Sequence, residues 1–441
     1  MPLAAPPSNP THKDGTGFSN LFKVKYEAFS SALWMTGAST GDAFLAKVPK
    51  VFKNQGRQLE FPIQITFGGS TSVGELGYST NAQSVTVTVP CMSLYTRLNL
   101  DRKSMKMSKG DGAAYVDSLG FEVENKVMNS GRTEALLAYN NDSAILGQFV
   151  GQATGTAPNF VVTIPIGTGT FRARLHYFEE DDIVEIEKDV LGTPLLQESY
   201  FRITSVAQNN TTKVITLGLL RVSGSVDIAA VGYASQTHNV VIQKGSTLNS
   251  HRNYITGARR APMGVLGCMN FTTGTRYGVN FTRRFSSRVV DAASTNLTPD
   301  VLIDGIFDYE SRTGIFPSLI VASYAQFTSA LKLAEGTAIY KAVTTSGVGP
   351  VQFGFKGVEI LTPRGSITMV TSRFLRDDII FYTNPEKHKQ YLAGPFGWFE
   401  DDGTMLLRLS EDDAYEARYG GYYENYFNPF FFHFVQNLVA V

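Results

Sequence analysis

Two stretches of this chain alternate apolar and polar residues with the period of two that marks a strand with one covered face. Leu59, Phe61, Ile63, Ile65 and Phe67 alternate with Gln58, Glu60, Pro62, Gln64 and Thr66, and Val85, Val87 and Val89 alternate with Ser84, Thr86 and Thr88. Between them, Gly68-Gly69-Ser70 through Gly77 supplies a flexible tip. Residues 57–100 are therefore expected to form one long hairpin. A two-stranded ribbon has no core of its own. Its apolar face is expected to be covered by another molecule, with those eight apolar residues as the contacts.

A period of 3.6 follows. Val116, Leu119, Val123 and Val127 form one apolar stripe, while Asp117, Glu122, Glu124 and Lys126 occupy other faces. This predicts a long helix over 108–140, capped by Ser108, with Asp111 near the positive end of its dipole. Gly120 and Gly131 weaken it and predict bending or close packing there.

Over 158–243 the pattern changes to short β-rich runs, such as Phe160–Ile166 and Tyr200–Val206, split by turn residues. Asn209-Asn210-Thr211-Thr212 between two such runs reads as a hairpin turn. The spacing suggests a small barrel or sandwich. Pro299 to Tyr309 and Tyr324 to Glu335 are helical in pattern, whereas Leu319-Ile320-Val321 and Val358-Glu359-Ile360-Leu361 are strand-like, which gives a compact α/β unit. The stretch from Tyr415 to Val441 is crowded with rings that need burial in a core or at an interface.

Length and composition add limits. The 441 residues suggest two or three domains, and 43% hydrophobic with 18% charged residues marks a globular chain. Lys plus Arg and Asp plus Glu both number 39, so the formal net charge is zero. That balance argues against a dedicated nucleic-acid binder and eases self-association. The polar, Pro-rich start, with the more apolar stretch Phe22 to Trp34 behind it, reads as an arm with a docking segment rather than a signal peptide. No apolar run reaches the ~20 residues of a membrane span.

Candidate chemistry is sparse. Gly37-Ala38-Ser39-Thr40-Gly41 has nucleophile-elbow spacing, but no strand is expected before it, so a flexible turn is the better reading. The Asp pairs at 181–182, 377–378, 401–402 and 412–413 lack calcium-loop spacing and read as solvated turns or intersubunit ion pairs. The six histidines lack ligand spacing, and Cys91 and Cys268 read as reduced, packed thiols; no metal or cofactor is expected. The sharpest charge signal is Arg252 to Arg288. It holds Arg252, Arg259, Arg260, Arg276, Arg283, Arg284 and Arg288, and no acidic residue lies between Asp227 and Asp291. Arginine forks suit phosphates and carboxylates. Arg259, Arg260, Arg276, Arg283, Arg284 and Arg288 are thus candidates to face packaged DNA or an acidic patch on a neighbour, with scattered solvated arginines as the alternative.

The order arm, long hairpin, long helix, β-rich segment, α/β unit and aromatic return resembles the major capsid protein of tailed bacteriophages. Glu179-Glu180-Asp181-Asp182-Ile183-Val184 followed by Tyr200-Phe201-Arg202-Ile203-Thr204-Ser205-Val206 resembles an inserted β-domain of that family. Ser372-Arg373-Phe374-Leu375-Arg376-Asp377-Asp378 and Ala414-Tyr415-Glu416-Ala417-Arg418-Tyr419 resemble its return segments.

The resemblance implies an α+β chain of the Hong Kong 97-type phage capsid fold. It implies an N-terminal arm (1–35), an E-loop hairpin region (36–107) and a spine helix with peripheral domain (108–157). After these come an inserted small β-barrel or sandwich (158–243), an axial α/β domain (244–372), and a return to the peripheral and axial domains with a C-terminal strand (373–441). It further implies a non-catalytic head protein that self-assembles as pentamers and hexamers into an icosahedral shell around double-stranded DNA. The shell would form in the host cytoplasm and end in the virion. Implied partners are other copies, the DNA, a separate scaffolding protein and a portal, with a decoration protein left open and no membrane. An encapsulin-like compartment is the alternative, and a hydrolase built on Ser39 a more distant one. Some members of the phage family cross-link a hairpin Lys to a neighbour's Asn. Here no Lys lies between Lys53 and Lys103, so no such cross-link is expected. Only ~110 residues precede the long helix, too few to add a fused scaffolding domain of ordinary size to the arm and hairpin.

Overall fold

The computed structural model describes residues 42–52, 58–66, 83–102, 118–140, 145–166, 175–188, 200–209, 212–223, 227–229, 237–242, 262–269, 271, 275–282, 284–336, 358–362, 364–392, 396–399, 407–408 and 414–439. The chain divides into two compact units. One comprises Met1–Thr40, Ser93–Ala261 and Pro395–Tyr422, and the other Gly41–Met92, Pro262–Gly394 and Tyr423–Val441.

In the first unit the long helix runs Ser118–Tyr139. Its last turns are buried from Ala135 to Tyr139. Seven strands form one sheet in the order Ile145–Val150, Thr237–Ile242, Ile183–Lys188, Tyr200–Asn209, Val214–Ser223, Asn159–Pro165 and Thr154–Thr156. All its pairings are antiparallel. The sheet curls until Ile145–Val150 and Asn159–Pro165, far apart in that order, come into contact. Phe160, Val162, Ile164, Phe201, Ile203, Ile215 and Leu217 fill its covered face. The turn expected at 209–212 joins Tyr200–Asn209 to Val214–Ser223, with the Thr212 amide donating to the Asn209 side chain at 3.1 Å. Two strands of this sheet, Ile145–Val150 and Thr154–Thr156, precede residue 158.

The second unit holds a six-stranded mixed sheet. Its order is Arg288–Asp291, Phe432–Gln436, Ile380–Thr383, Leu319–Ala322, Gly365–Thr371, Val358–Thr362. Helix Pro299–Thr313 packs over the Phe432–Gln436 and Ile380–Thr383 strands, and helix Tyr324–Gly336 over Leu319–Ala322 and Gly365–Thr371. The first helix starts where the sequence says it must. Thr298 accepts the Val301 amide, Pro299 occupies the first turn, and Gly314 closes the end at φ 70°. Leu302, Ile306 and Tyr309 from this helix meet Ile320, Met369, Ile380 and Tyr382 from the sheet. Gly305 is obligatory there, because a Cβ would stand 2.5 Å from the Tyr382 ring.

From Tyr423 onward the aromatic return is largely buried in this unit. Phe44, Phe381, Phe427 and Phe432 pack edge to face or tilted around His388, which stacks on Phe432 at 4.3 Å between ring centres. His388 Nδ1 accepts the Asn428 amide at 3.2 Å, so the ring proton sits on Nε2 and points at Thr383 Oγ1, 2.7 Å away. That hydroxyl donates onward to the Phe431 carbonyl. Every position that could solvate an imidazolium is taken, and burial pushes the His388 pKa down from 6.5 to about 3. Burial likewise lowers His433.

The unfolded chain protonates His388 near pH 6.5 and the folded chain only near 3. Stability from the neutral ring is therefore whole above pH 6.5 and is lost as pH falls toward 3, at up to ~1.4 kcal/mol per pH unit. Urea unfolding at pH 7, 6, 5 and 4 is expected to show this decline. In His388→Phe stability at pH 7 is expected to be lower, and its slope with pH flatter, the remainder coming from His433 and the carboxylates.

Candidate intersubunit surfaces

The hairpin forms from the two alternating runs but ends at Pro90 rather than at residue 100, and Met92–Asp101 is a separate strand. Gln58–Thr66 pairs antiparallel with Gln83–Pro90, setting Leu59 opposite Val89, Phe61 opposite Val87 and Ile63 opposite Val85. What covers its apolar face departs from expectation. Val87 and Val89 are fully buried, and Leu59, Phe61, Ile63 and Val85 half-buried, against Met263, Phe271, Tyr277, Val279, Phe285, Tyr391 and Tyr426 of the same unit. The Phe61 ring meets Tyr426 edge-on at 5.0 Å. The Thr88 amide donates to the Tyr277 carbonyl at 2.8 Å, and Gly278 turns the chain there at φ 77°. The ribbon's missing third layer is thus the chain's own 263–285 segment, so this face does not need a neighbour. Val87 and Val89 have no surface left to offer one. The Ile65 side chain and Phe67 lie outside the described residues.

Beneath this contact is a buried polar network that the sequence pattern did not reveal. Glu424 accepts the Met263 amide at 2.6 Å and the Asn425 amide at 3.1 Å. The Asn425 side chain donates to the Met263 carbonyl and accepts from Gln390. The Tyr277 hydroxyl donates to the Asn425 carbonyl and accepts the Phe427 amide at 2.9 Å, and burial raises its pKa well above the usual value. The one signal was a Glu-Asn pair set among rings, Tyr422-Tyr423-Glu424-Asn425-Tyr426-Phe427.

The candidate arginines separate. Arg276 is 4% exposed, donates to the Gly264 carbonyl and lies 5.4 Å from the centre of the Tyr277 ring. It is an internal strut, not a DNA-facing or intersubunit group. Arg288 is exposed but pairs with Asp308 of its own unit at 3.0 Å. Arg284 is exposed. Arg252, Arg259, Arg260 and Arg283 lie outside the described residues.

Of the helix stripe, Leu119 and Val123 fall within Ser118–Tyr139 and Val127 is half-buried, while Ser108, Asp111 and Val116 lie outside the described residues. Two Asp pairs resolve as internal contacts rather than intersubunit ones. Asp182, with Glu179, grips the buried Arg132 of the long helix at 3.2 and 3.1 Å. Asp378 takes Arg376 through two hydrogen bonds of 3.1 and 2.8 Å. Ser39 and the pairs at 401–402 and 412–413 lie outside the described residues. Neither cysteine is disulfide-bonded, and Cys268 is buried. Among the described residues no cluster suits a metal, and no helix is long and apolar enough to cross a membrane.

Two outward helix faces in the second unit remain. Asp300, Ile303, Asp304 and Phe307 project from Pro299–Thr313, with Ile303 36% and Phe307 46% exposed. Tyr324, Thr328 and Lys332 project from Tyr324–Gly336, with Tyr324 58% exposed.

No protein-family model matches this sequence, and no curated protein matches it. Solved structures do. The capsid asymmetric unit of cyanophage A-1(L) aligns over 94% of this chain and 96% of its own, with a TM-score of 0.52 at 11% identity. The capsid of Myoviridae phage XM1 aligns over 95% of each chain, with a TM-score of 0.43 at 9% identity. The SrpI encapsulin of Synechococcus elongatus aligns over 96% of each, with a TM-score of 0.43 at 8% identity. The cyanophage match shows that this α+β chain has the fold of a phage capsid protein along nearly its whole length. The resemblance read from the order of elements thus holds at the level of fold.

Val87→Ala is expected to destabilise the unassembled chain by roughly 2 kcal/mol, the sum of lost methyl burial and the cavity left behind. The measurement is the urea midpoint of dissociated protein. An unchanged midpoint would mean that this face is empty until a neighbour arrives.

Proposed function

We propose that this protein is the major capsid protein of a tailed bacteriophage, a structural and non-catalytic subunit. In this reading many copies gather as pentamers and hexamers and close into an icosahedral shell around packaged double-stranded DNA. The observation that carries it is the capsid fold shared over 94% of the chain. Zero net charge supports it, since a container for DNA has no need of a strongly basic wall.

The remaining assignments follow from this reading. The long helix would be the spine, the seven-stranded sheet an inserted peripheral β-domain, and the six-stranded sheet with its two helices the axial domain. Leu59, Phe61, Ile63 and Val85 keep part of their surface for a neighbour although their own unit half-covers them. Arg259, Arg260, Arg283 and Arg284 would face DNA or an acidic patch on an adjacent copy. A separate scaffolding protein and a portal would be the other partners, with assembly in the host cytoplasm and residence in the virion.

Electron microscopy of the purified protein, alone and from cells making it with its neighbouring gene products, tests the reading. Closed icosahedral shells that fill with nuclease-protected DNA are expected. Shells that enclose a cargo protein and never DNA would instead establish an encapsulin-like compartment. Monomers that form no shell under any of these conditions would refute both.

A further inference from the structure

A second histidine of this unit is buried without a hydrogen bond. His433 lies in the Phe432–Gln436 strand, and its side chain is 2% exposed. Alternate residues of a strand share a face, so His433 points the same way as Val435, into the core under the Pro299–Thr313 helix. Its ring meets Tyr382 edge-on at 5.4 Å. His388 has a partner at each ring nitrogen, whereas neither nitrogen of His433 is hydrogen-bonded among the described residues. Its Nδ1 stands 3.4 Å from Oδ2 of Asp308. That same oxygen accepts the Arg288 Nε–H at 3.0 Å. Arg288 is directly opposite His433 where the edge strand Arg288–Asp291 pairs with Phe432–Gln436. One carboxylate oxygen thus has two claimants.

The groups that bear on His433 come from three elements. The helix supplies Asp308 and Arg312, the edge strand Arg288, and the Ile380–Thr383 strand Tyr382. The Tyr382 hydroxyl is occupied, 3.2 Å from the Leu302 carbonyl, and Asp304 bears on it rather than on His433. Arg312 is held in place. It donates to the carbonyl and the hydroxyl of Ser286 and lies 5.2 Å from the centre of the Phe430 ring. Arg288 differs, with its side chain more than half exposed and its ion pair made to Asp308. Burial holds His433 neutral, Asp308 works against this, and Arg288 and Arg312 work with it. A surface guanidinium gives up an ion pair to water at little cost, whereas a buried imidazolium needs a partner.

We propose that Arg288, Asp308 and His433 form a proton-operated switch: when His433 takes a proton, Asp308 turns to it and releases the Arg288 guanidinium to solvent. One ion pair breaks, another forms, and the cluster gains one positive charge. The edge strand then carries an unpaired cation and loses this tie to the helix. Acid thereby uncovers an anion-accepting group that the protein keeps neutralised at pH 7. The two events are linked, so taking Arg288 away eases proton uptake by His433. The switch belongs to a single chain and operates whether or not copies assemble into a shell.

Nitrogen NMR of the full-length, unassembled protein labelled in histidine and arginine tests this. The two signals are assigned by their loss in His433→Gln and Arg288→Gln. His433 is expected to titrate below 6.5 while the chain stays folded. Arg288→Gln is expected to raise its proton affinity about threefold or more, by removing the rival and a like charge. Arg288→Lys keeps the charge and is expected to stay within about twofold of the unaltered protein. Asp308→Asn is expected to lower the affinity about threefold or more. The side chains of Arg288 and Asp308 both reach solvent, so these variants are expected to fold. A purely structural role would not move the affinity in opposite directions. In the unaltered protein the Arg288 Nε signal is expected to reach the position of a solvated guanidinium as His433 takes its proton. An affinity that neither Arg288→Gln nor Asp308→Asn moves, or an Arg288 signal that stays fixed while His433 titrates, would overturn the switch. So would loss of the near-ultraviolet tyrosine dichroism of the folded chain before His433 takes its proton.

Discussion

The second unit depends on Glu424, a carboxyl group with no exposure to solvent. Burying such a group costs several kcal/mol unless hydrogen bonds replace its water. Here two amides do so, those of Met263 and Asn425. The consequence is positional. Residues far apart in sequence are fixed side by side, with Tyr277 set across them by hydrogen bonds to the backbone at Asn425 and Phe427. Tyr277 then presents its carbonyl to Thr88 and its ring to Tyr426, and the hairpin is seated. Removing the carboxylate would leave the Met263 and Asn425 amides without this acceptor, beneath the residues that cover the hairpin.

In the proposed shell this changes where cohesion between copies has to come from. A ribbon that reaches a neighbour with a bare apolar face would be unstable until assembly. A ribbon rooted on its own 263–285 segment is already ordered, and it has only the partly exposed edges of Leu59, Phe61, Ile63 and Val85 to add. The same holds for the aromatic return, where Phe427, Phe432 and Phe434 are buried within the unit around a neutral His388. In the proposed shell the surfaces available for assembly are then the ones left outside these cores. A subunit that is well ordered before assembly loses less conformational entropy on docking, which favours many modest contacts summed over a shell.

Local structure was legible in the sequence because local rules set it. Alternation at 59–67 and 84–89 gave the two strands of the hairpin, while their register appears only in the structure. Pro299 marked the start of a helix, which begins there but runs to Thr313, one turn past the expected Tyr309, until Gly314 closes it. The 209–212 turn followed from its residue types. Long-range pairing was not legible. Nothing near Val87 announces that Tyr277 and Tyr426 cover it, and period-two alternation is identical whether the covering layer is the same chain or another. Arg276 reads as exposed because arginines usually are, yet a carbonyl at Gly264 and the Tyr277 ring hold it inside. Asp182 reads as part of a solvated turn, while its partner Arg132 lies 50 residues away. Glu424 was hidden by its aromatic neighbours, which mark burial but give no reason for an acid among them.

The central claim is that the hairpin is seated by its own chain before any neighbour arrives. Amide hydrogen exchange on the dissociated, unassembled protein tests this most directly. The account predicts that amides of Gln83–Pro90, Thr88 above all, are already protected in the lone subunit and change little on assembly. Rapid exchange there in the lone subunit, with protection gained only inside the shell, would contradict it.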